Sequence, residues 1–147
     1  MALNSTIFLF LLLCCSVSGQ AKTDDILGKW ISTDKSVSVH VYKEGKIFKA
    51  KVIWFNERLG NGEPMNSRTD SHNPDPKLRD RKLIGMEILD GLLFNPIKQR
   101  WENGKIYDAS SGRTWDSYIE IKEDGGMIVR GYWKWAWMGK TIYFDKI

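Results

Sequence analysis

Apolar and polar residues alternate along most of the chain after Gly28. Val37, Val39 and Val41 alternate with Ser36, Ser38, His40 and Tyr42. Phe48, Ala50, Val52 and Trp54 alternate with Lys49 and Lys51, and Ser117, Ile119 and Ile121 with Asp116, Tyr118, Glu120 and Lys122. A period of two gives each segment one apolar and one polar face, the pattern of antiparallel strands lining a single core. No stretch beyond the first twenty residues holds a helical period for three turns. Strands are predicted over 28–33, 36–43, 47–55, 83–89, 99–103, 105–109, 113–122, 127–135 and 140–145. Glu44-Gly45, Asp90-Gly91, Asn103-Gly104, Ser111-Gly112 and Asp124-Gly125-Gly126 punctuate these runs, and such pairs tolerate the positive φ that hairpin turns require. Eight or nine sequential strands joined this way predict an all-β fold, a single up-and-down antiparallel barrel that removes exposed edges by closing. A sandwich is the competing arrangement.

The segment from Asn56 to Lys82 breaks the rhythm. It is polar and holds Pro64, Pro74 and Pro76 of the four prolines. A loop this long inside a compact domain is either functional or disordered. Asp75 and Pro76 form a cap and first-position pair for a short helix, with Leu78 as its anchor to the body. The segment is predicted to lie as a flap across one mouth of the barrel.

The first nineteen residues have another character. Ile7 to Cys15 is an unbroken apolar run, half of the roughly 20 residues needed to span a bilayer. The small residues that follow, through Val17 and Gly19, fit a signal-peptidase site, with cleavage after Gly19 or Ala21. Export to a periplasm or out of the cell is therefore expected, with no membrane span left after processing. Both cysteines, Cys14 and Cys15, lie in this leader, so the domain from Gln20 to Ile147 contains none. Disulfides, thiolate catalysis and cysteine zinc sites are thereby excluded from it. The net charge of +4 is spread without a basic block, which argues against nucleic acid as a partner.

A longer series of motifs suggests a family. Gly28-Lys29-Trp30 resembles the glycine-x-tryptophan opening of lipocalin-type barrels. The run Asn73-Pro74-Asp75-Pro76-Lys77-Leu78-Arg79-Asp80-Arg81 follows, then Leu83-Ile84-Gly85-Met86-Glu87-Ile88-Leu89. Trp101, Gly104-Lys105-Ile106-Tyr107-Asp108, Gly112-Arg113-Thr114, Val129-Arg130-Gly131-Tyr132 and Gly139-Lys140-Thr141 complete it. The series resembles domain-of-unknown-function family 2147, exported bacterial proteins placed among lipocalin-like (calycin) barrels. Ala109, Lys140 and the tail Ile142-Tyr143-Phe144 depart from that pattern. The resemblance implies a barrel in the cell envelope and supplies no activity. It also implies that Trp30 plugs the closed end under an arginine, for which Arg130 is the candidate.

The arginines within the resemblance, Arg79, Arg81, Arg113 and Arg130, lie beside Asp75, Asp80, Tyr107 and Asp108. Arginine forks at a mouth bind carboxylate or phosphate, whereas Arg-Asp pairs fasten loops, and the second role has the greater weight here. Trp54 joins Asp75, Arg79, Arg81, Tyr107, Asp108, Arg113 and Arg130 as a candidate ligand contact. The alternation runs on through Trp133, Trp135 and Trp137, placing three of the seven tryptophans on one strand face. Turned inward they fill the barrel; turned outward they form a contact surface for sugar, lipid or protein. The favoured arrangement packs Trp133 in the core and leaves Trp135 and Trp137 at a rim.

Asp70, His72 and Asp75 have no recognised metal-ligand spacing, so no metal or other cofactor is expected. No nucleophile elbow, phosphate loop or paired-histidine motif occurs. Asp75 and Asp108 could act as an acid/base pair only if folding brought them together. The expected function is non-enzymatic: a barrel that binds a small apolar or amphipathic molecule or an envelope component. The alternative is a structural module with a filled barrel and an envelope protein as partner.

Overall fold

The computed structural model describes residues 20–147, so the predicted leader lies outside the described residues. Eight strands follow one another: β1 (Gly28–Ser32), β2 (Val37–Glu44), β3 (Ile47–Phe55), β4 (Glu87–Asn95), β5 (Arg100–Asp108), β6 (Arg113–Ile121), β7 (Met127–Tyr132) and β8 (Gly139–Lys146). Each pairs with the next, and β8 returns to β1 through Trp30↔Lys146, Ile31↔Asp145 and Ser32↔Phe144. The sheet is a closed antiparallel barrel, as the alternating pattern predicts, and the sandwich is excluded.

Eight of the eight or nine predicted strands are present: two of the turn signals are not turns, and one of them joins the predicted 99–103 and 105–109 into a single strand. Asn103-Gly104 lies inside β5, where Asn103 has φ 67° and the pairing with β6 shifts between Trp101 and Gly104. Asp90-Gly91 lies inside β4, with Gly91 at φ 80°. A residue at positive φ serves a bulge as well as a hairpin, so the dipeptide alone cannot tell them apart. The turn between β4 and β5 is made instead by Asn95, whose Oδ1 accepts from the amides of Ile97 and Lys98 at 3.0 Å. Gly104 also answers a packing need, since a Cβ there would stand 2.7 Å from Leu92.

Strict up-and-down order sends the β1–β2, β3–β4, β5–β6 and β7–β8 connections to one end. At the other end the segment before β1 crosses the barrel. Ile26, Trp30, Leu92 and Trp101 are wholly buried there, with Phe48 beside them. Trp30 Nε1 donates to the Ile26 carbonyl and Trp101 Nε1 to that of Thr23, both at 2.9 Å, so each indole buries its ring and satisfies its N–H. This end is sealed. The cation over the Trp30 ring is Lys146, its Nζ 5.2 Å from the centroid, and not Arg130, which lies on β7 near the opposite end.

The segment between β3 and β4 is a folded side loop. Asp75 caps a single 3₁₀ turn at Pro76–Leu78, its carboxylate accepting from the Lys77 amide at 3.0 Å. The predicted cap and first-position proline are both present. Leu78, however, is exposed and anchors nothing. Anchoring comes from Thr69↔Lys82 pairing and from buried Asp70.

Candidate functional site

The barrel encloses a cavity of about 1170 Å³ that begins above the sealed end. Its wall follows from strand phase. On β6, Arg113, Trp115, Ser117 and Ile119 fall on the inner face; on β7, Met127, Val129 and Gly131; on β8, Lys140, Ile142 and Phe144. Val39 and Val41 complete an apolar body from β2. The interior is therefore open toward the mouth, above a packed floor where Val41, Ala50, Ile119 and Met127 are at most 2% exposed. Gly131 adds to the space, since even a Cβ there would reach within 3.4 Å of Ile106. The outward positions mix polar residues, among them His40, Lys49, Lys51 and Glu120, with exposed Ile47, Trp54 and Leu93.

Charge enters only at the mouth. Arg113 opens β6 and Lys140 follows the first residue of β8, so the inner-face alternation places both cations at the rim. Asp108, the last residue of β5, lines the same rim. Burial pushes its carboxyl up, but hydrogen bonds from Ser110 and Ser111 and the charge of Lys140 outweigh this and hold it below the usual range. Its Oδ1 accepts from the Ser110 amide at 2.9 Å and hydroxyl at 2.6 Å, and its Oδ2 from Ser111 Oγ at 2.7 Å. Asp108 is thus an anion occupied by its own turn. Among the described residues neither Arg113 nor Lys140 forms a salt bridge.

Of the sequence-predicted contacts, Tyr107, Asp108 and Arg113 line the cavity, whereas Trp54, Asp75, Arg79, Arg81 and Arg130 do not. Trp54 faces outward on β3 and is partly exposed. Arg79 Nε donates to the Asn73 carbonyl at 2.8 Å. Arg81 grips Asp70 Oδ2 through Nε at 3.0 Å and Nη2 at 2.8 Å. Tyr107 Oη donates to Asp70 Oδ1 at 2.6 Å, and Asn73 Nδ2 to Oδ2 at 2.7 Å. Arg79 and Arg81 fasten the segment to itself, through the Asn73 carbonyl and Asp70 rather than through Asp75, Asp80 or Asp108. No residue of Asn56–Lys82 lines the cavity, and the predicted flap across the mouth is not confirmed. The segment packs on the β5–β6 turn, where a Cβ on Gly112 would stand 2.0 Å from the His72 carbonyl oxygen.

Asp75 and Asp108 each accept hydrogen bonds from their own turn. Asp70 spends both oxygens on protein donors, and no cluster of metal-ligating side chains occurs among the described residues. Trp133, Trp135 and Trp137 lie beyond β7 in the loop to β8, and all three are exposed, so Trp133 is not core. Sequence reasoning missed Trp115, Met138 and Lys140 as wall or rim. The period of two through Trp115-Ser117-Ile119 and Lys140-Ile142-Phe144 carries the signal for the first and last.

Burial, the hydrogen bond to Asp70 and the charge of Asp70 push the Tyr107 phenol from about 10 up to about 12. A raised value means that folding favours the protonated phenol, a contribution complete below pH ~10 and lost as pH rises through about 12. In an alkaline absorbance titration, the difference between wild type and Tyr107→Phe is expected to show one phenolate step near pH 12. A step at the ordinary value contradicts the buried bond.

Residues 28–146 match a family described as "Uncharacterized protein conserved in bacteria (DUF2147)". No curated protein matches the chain. Among solved structures the chain is similar to protein HP1028 from the human pathogen Helicobacter pylori, described as belonging to the lipocalin family. The two share 25% identity over 82% of each chain, with a TM-score of 0.70.

Proposed function

The chain belongs to the DUF2147 family, and from that premise we propose that it is a non-enzymatic binding protein for a small amphipathic molecule. One observation carries this: an apolar cavity of about 1170 Å³ whose only charged groups stand at its mouth. That volume lies slightly above the usual range for small-molecule sites, roughly 300–1,000 Å³. An apolar tail gains about 0.8 kcal/mol per methylene buried against Val39, Ile119, Val129 and Ile142. Two unpaired cations, Arg113 and Lys140, against one engaged carboxylate, Asp108, leave the rim net positive. An anionic head group is therefore favoured there. The lipocalin family membership of the H. pylori protein supports the binding role at the level of fold.

The test is displacement of dansylaminoundecanoic acid by unlabelled twelve-carbon competitors, about the length such a cavity admits. Dodecanoate is expected to displace better than dodecanol, and dodecylamine least. Arg113→Ala and Lys140→Ala should each weaken dodecanoate about fivefold while leaving dodecanol unchanged, the size expected of a partly exposed ion pair. Equal displacement by all three contradicts the head-group assignment.

Export to the envelope is part of the proposal and is supported by the apolar run Ile7–Cys15 and its small-residue flank. Protein recovered from the host is expected to begin at Gln20 or Lys22. An N-terminus at Met1 or Ala2 contradicts it.

A further inference from the structure

We propose that the β7–β8 loop docks the barrel, open end first, onto an anionic lipid surface. The loop reads Trp133-Lys134-Trp135-Ala136-Trp137-Met138, and its four large apolar side chains are exposed by 54%, 62%, 77% and 43% in order. Three indoles together on a short loop are an apolar surface that a freely soluble domain normally covers. Indole is suited to the bilayer interface, with a ring that enters the acyl boundary and an N–H that stays wet.

The loop is built to be presented. Arg130 reaches from β7 beneath it and donates to the Ala136 carbonyl through Nε at 3.0 Å and Nη2 at 2.8 Å. Nη2 also donates to the Trp137 carbonyl at 3.2 Å, and Nη1 to Thr141 Oγ1 at 2.8 Å. Further backbone bonds join Trp133 to Met138 and Trp135 to Met138. These carbonyls have protein donors, so entry into a water-poor interface strips none of them of its partner. The base is closed as tightly: a Cβ on Gly139 would stand 2.2 Å from the Gly131 carbonyl oxygen.

Charge selects the surface. Lys134 lies between the first two tryptophans, Lys140 follows the loop and Arg113 shares the rim, and among the described residues none of the three forms a salt bridge. Cations beside interfacial aromatics match anionic head groups, and their stems can lie along apolar surface while the charge stays in water. Trp133 and Met138 also line the cavity, so a docked loop sets the mouth against the lipid. Docking itself does not require that the cavity hold a ligand.

The test uses the wild-type chain with vesicles of phosphatidylcholine alone and of equal parts phosphatidylglycerol and phosphatidylcholine. Co-sedimentation and a blue shift of tryptophan emission are expected on the second, weakening as salt rises. Lys134→Ala and Lys140→Ala should each weaken association about fivefold. The double variant Trp135→Ser, Trp137→Ser should weaken it by about tenfold or more, with thermal unfolding unchanged because both side chains are exposed. Ile97→Ser, at an exposed apolar residue of the β4–β5 turn on the sealed end, should have no effect. Absent association, equal association with both vesicles, or loss shared by the Ile97 variant overturns the proposal. So does a loop that retains only a protein or a glycan and leaves vesicles untouched.

Discussion

Replacing Asp70 by alanine is expected to lower stability by about 3–5 kcal/mol, a fall in Tm of about 10–15 °C for a domain of this size. Asp70 is fully buried, and its carboxylate is the acceptor for Tyr107, Asn73 and Arg81. Alanine leaves four donor groups on three residues without an acceptor, and the one on buried Asn73 has no water to turn to. Arg81, with its side chain 38% exposed, recovers part of its loss by hydration, which sets the upper limit. Asp70→Asn keeps the shape but removes the charge and one acceptor, so a loss of about 1–2 kcal/mol is expected. Limited proteolysis of the alanine variant should cut first within 56–82, the segment this carboxylate fastens. Thermal melts showing less than about 1 kcal/mol for the alanine change would contradict the role assigned to Asp70.

Obstructing the cavity is expected to abolish binding without unfolding the barrel. Ala50 on β3 and Val129 on β7 both line the cavity, on strands opposite one another in the eight-strand ring. The double variant Ala50→Phe, Val129→Trp places two aromatic rings where a ligand tail would lie. A tail denied burial of three methylenes loses about 2.4 kcal/mol, roughly fiftyfold in Kd. Ala50 and Val129 are only 2% and 5% exposed, so the new rings also press on packed neighbours and an overpacking penalty of about 1–3 kcal/mol is expected. Displacement titration and a thermal melt on the same sample measure both. Unchanged affinity in a folded double variant would contradict an interior site.

The barrel itself was legible because its signal repeats: the segments around 37–41, 48–54 and 117–121 alternate, and one closed core satisfies their apolar faces at once. Asn103-Gly104 and Asp90-Gly91 misled because bulge and hairpin ask the same φ of the same residues. Trp-Lys-Trp-Ala-Trp alternates like a strand, yet Arg130 takes the Ala136 and Trp137 carbonyls out of any ladder and Lys134 turns the backbone at φ 62°. Neither event has a local signature. The fastening role of the arginines was visible as chemistry, but Asp70 as its centre was not, because its partners Tyr107 and Arg81 lie 37 and 11 residues away. Lys140 and Arg113 became rim residues through strand phase combined with closure, and closure is a property of the whole ring.

The central claim is that the interior receives a ligand tail, and methyl NMR measures this most directly. Dodecanoate is added to wild-type protein carrying labelled Ile and Val methyl groups. Intermolecular NOEs from the chain to Val39, Ile119, Val129 and Ile142, with the methyls of Ile47 and Ile97 unmoved, are the result predicted. NOEs confined to exposed methyls such as Ile97, with the four interior residues unchanged at saturation, would contradict it.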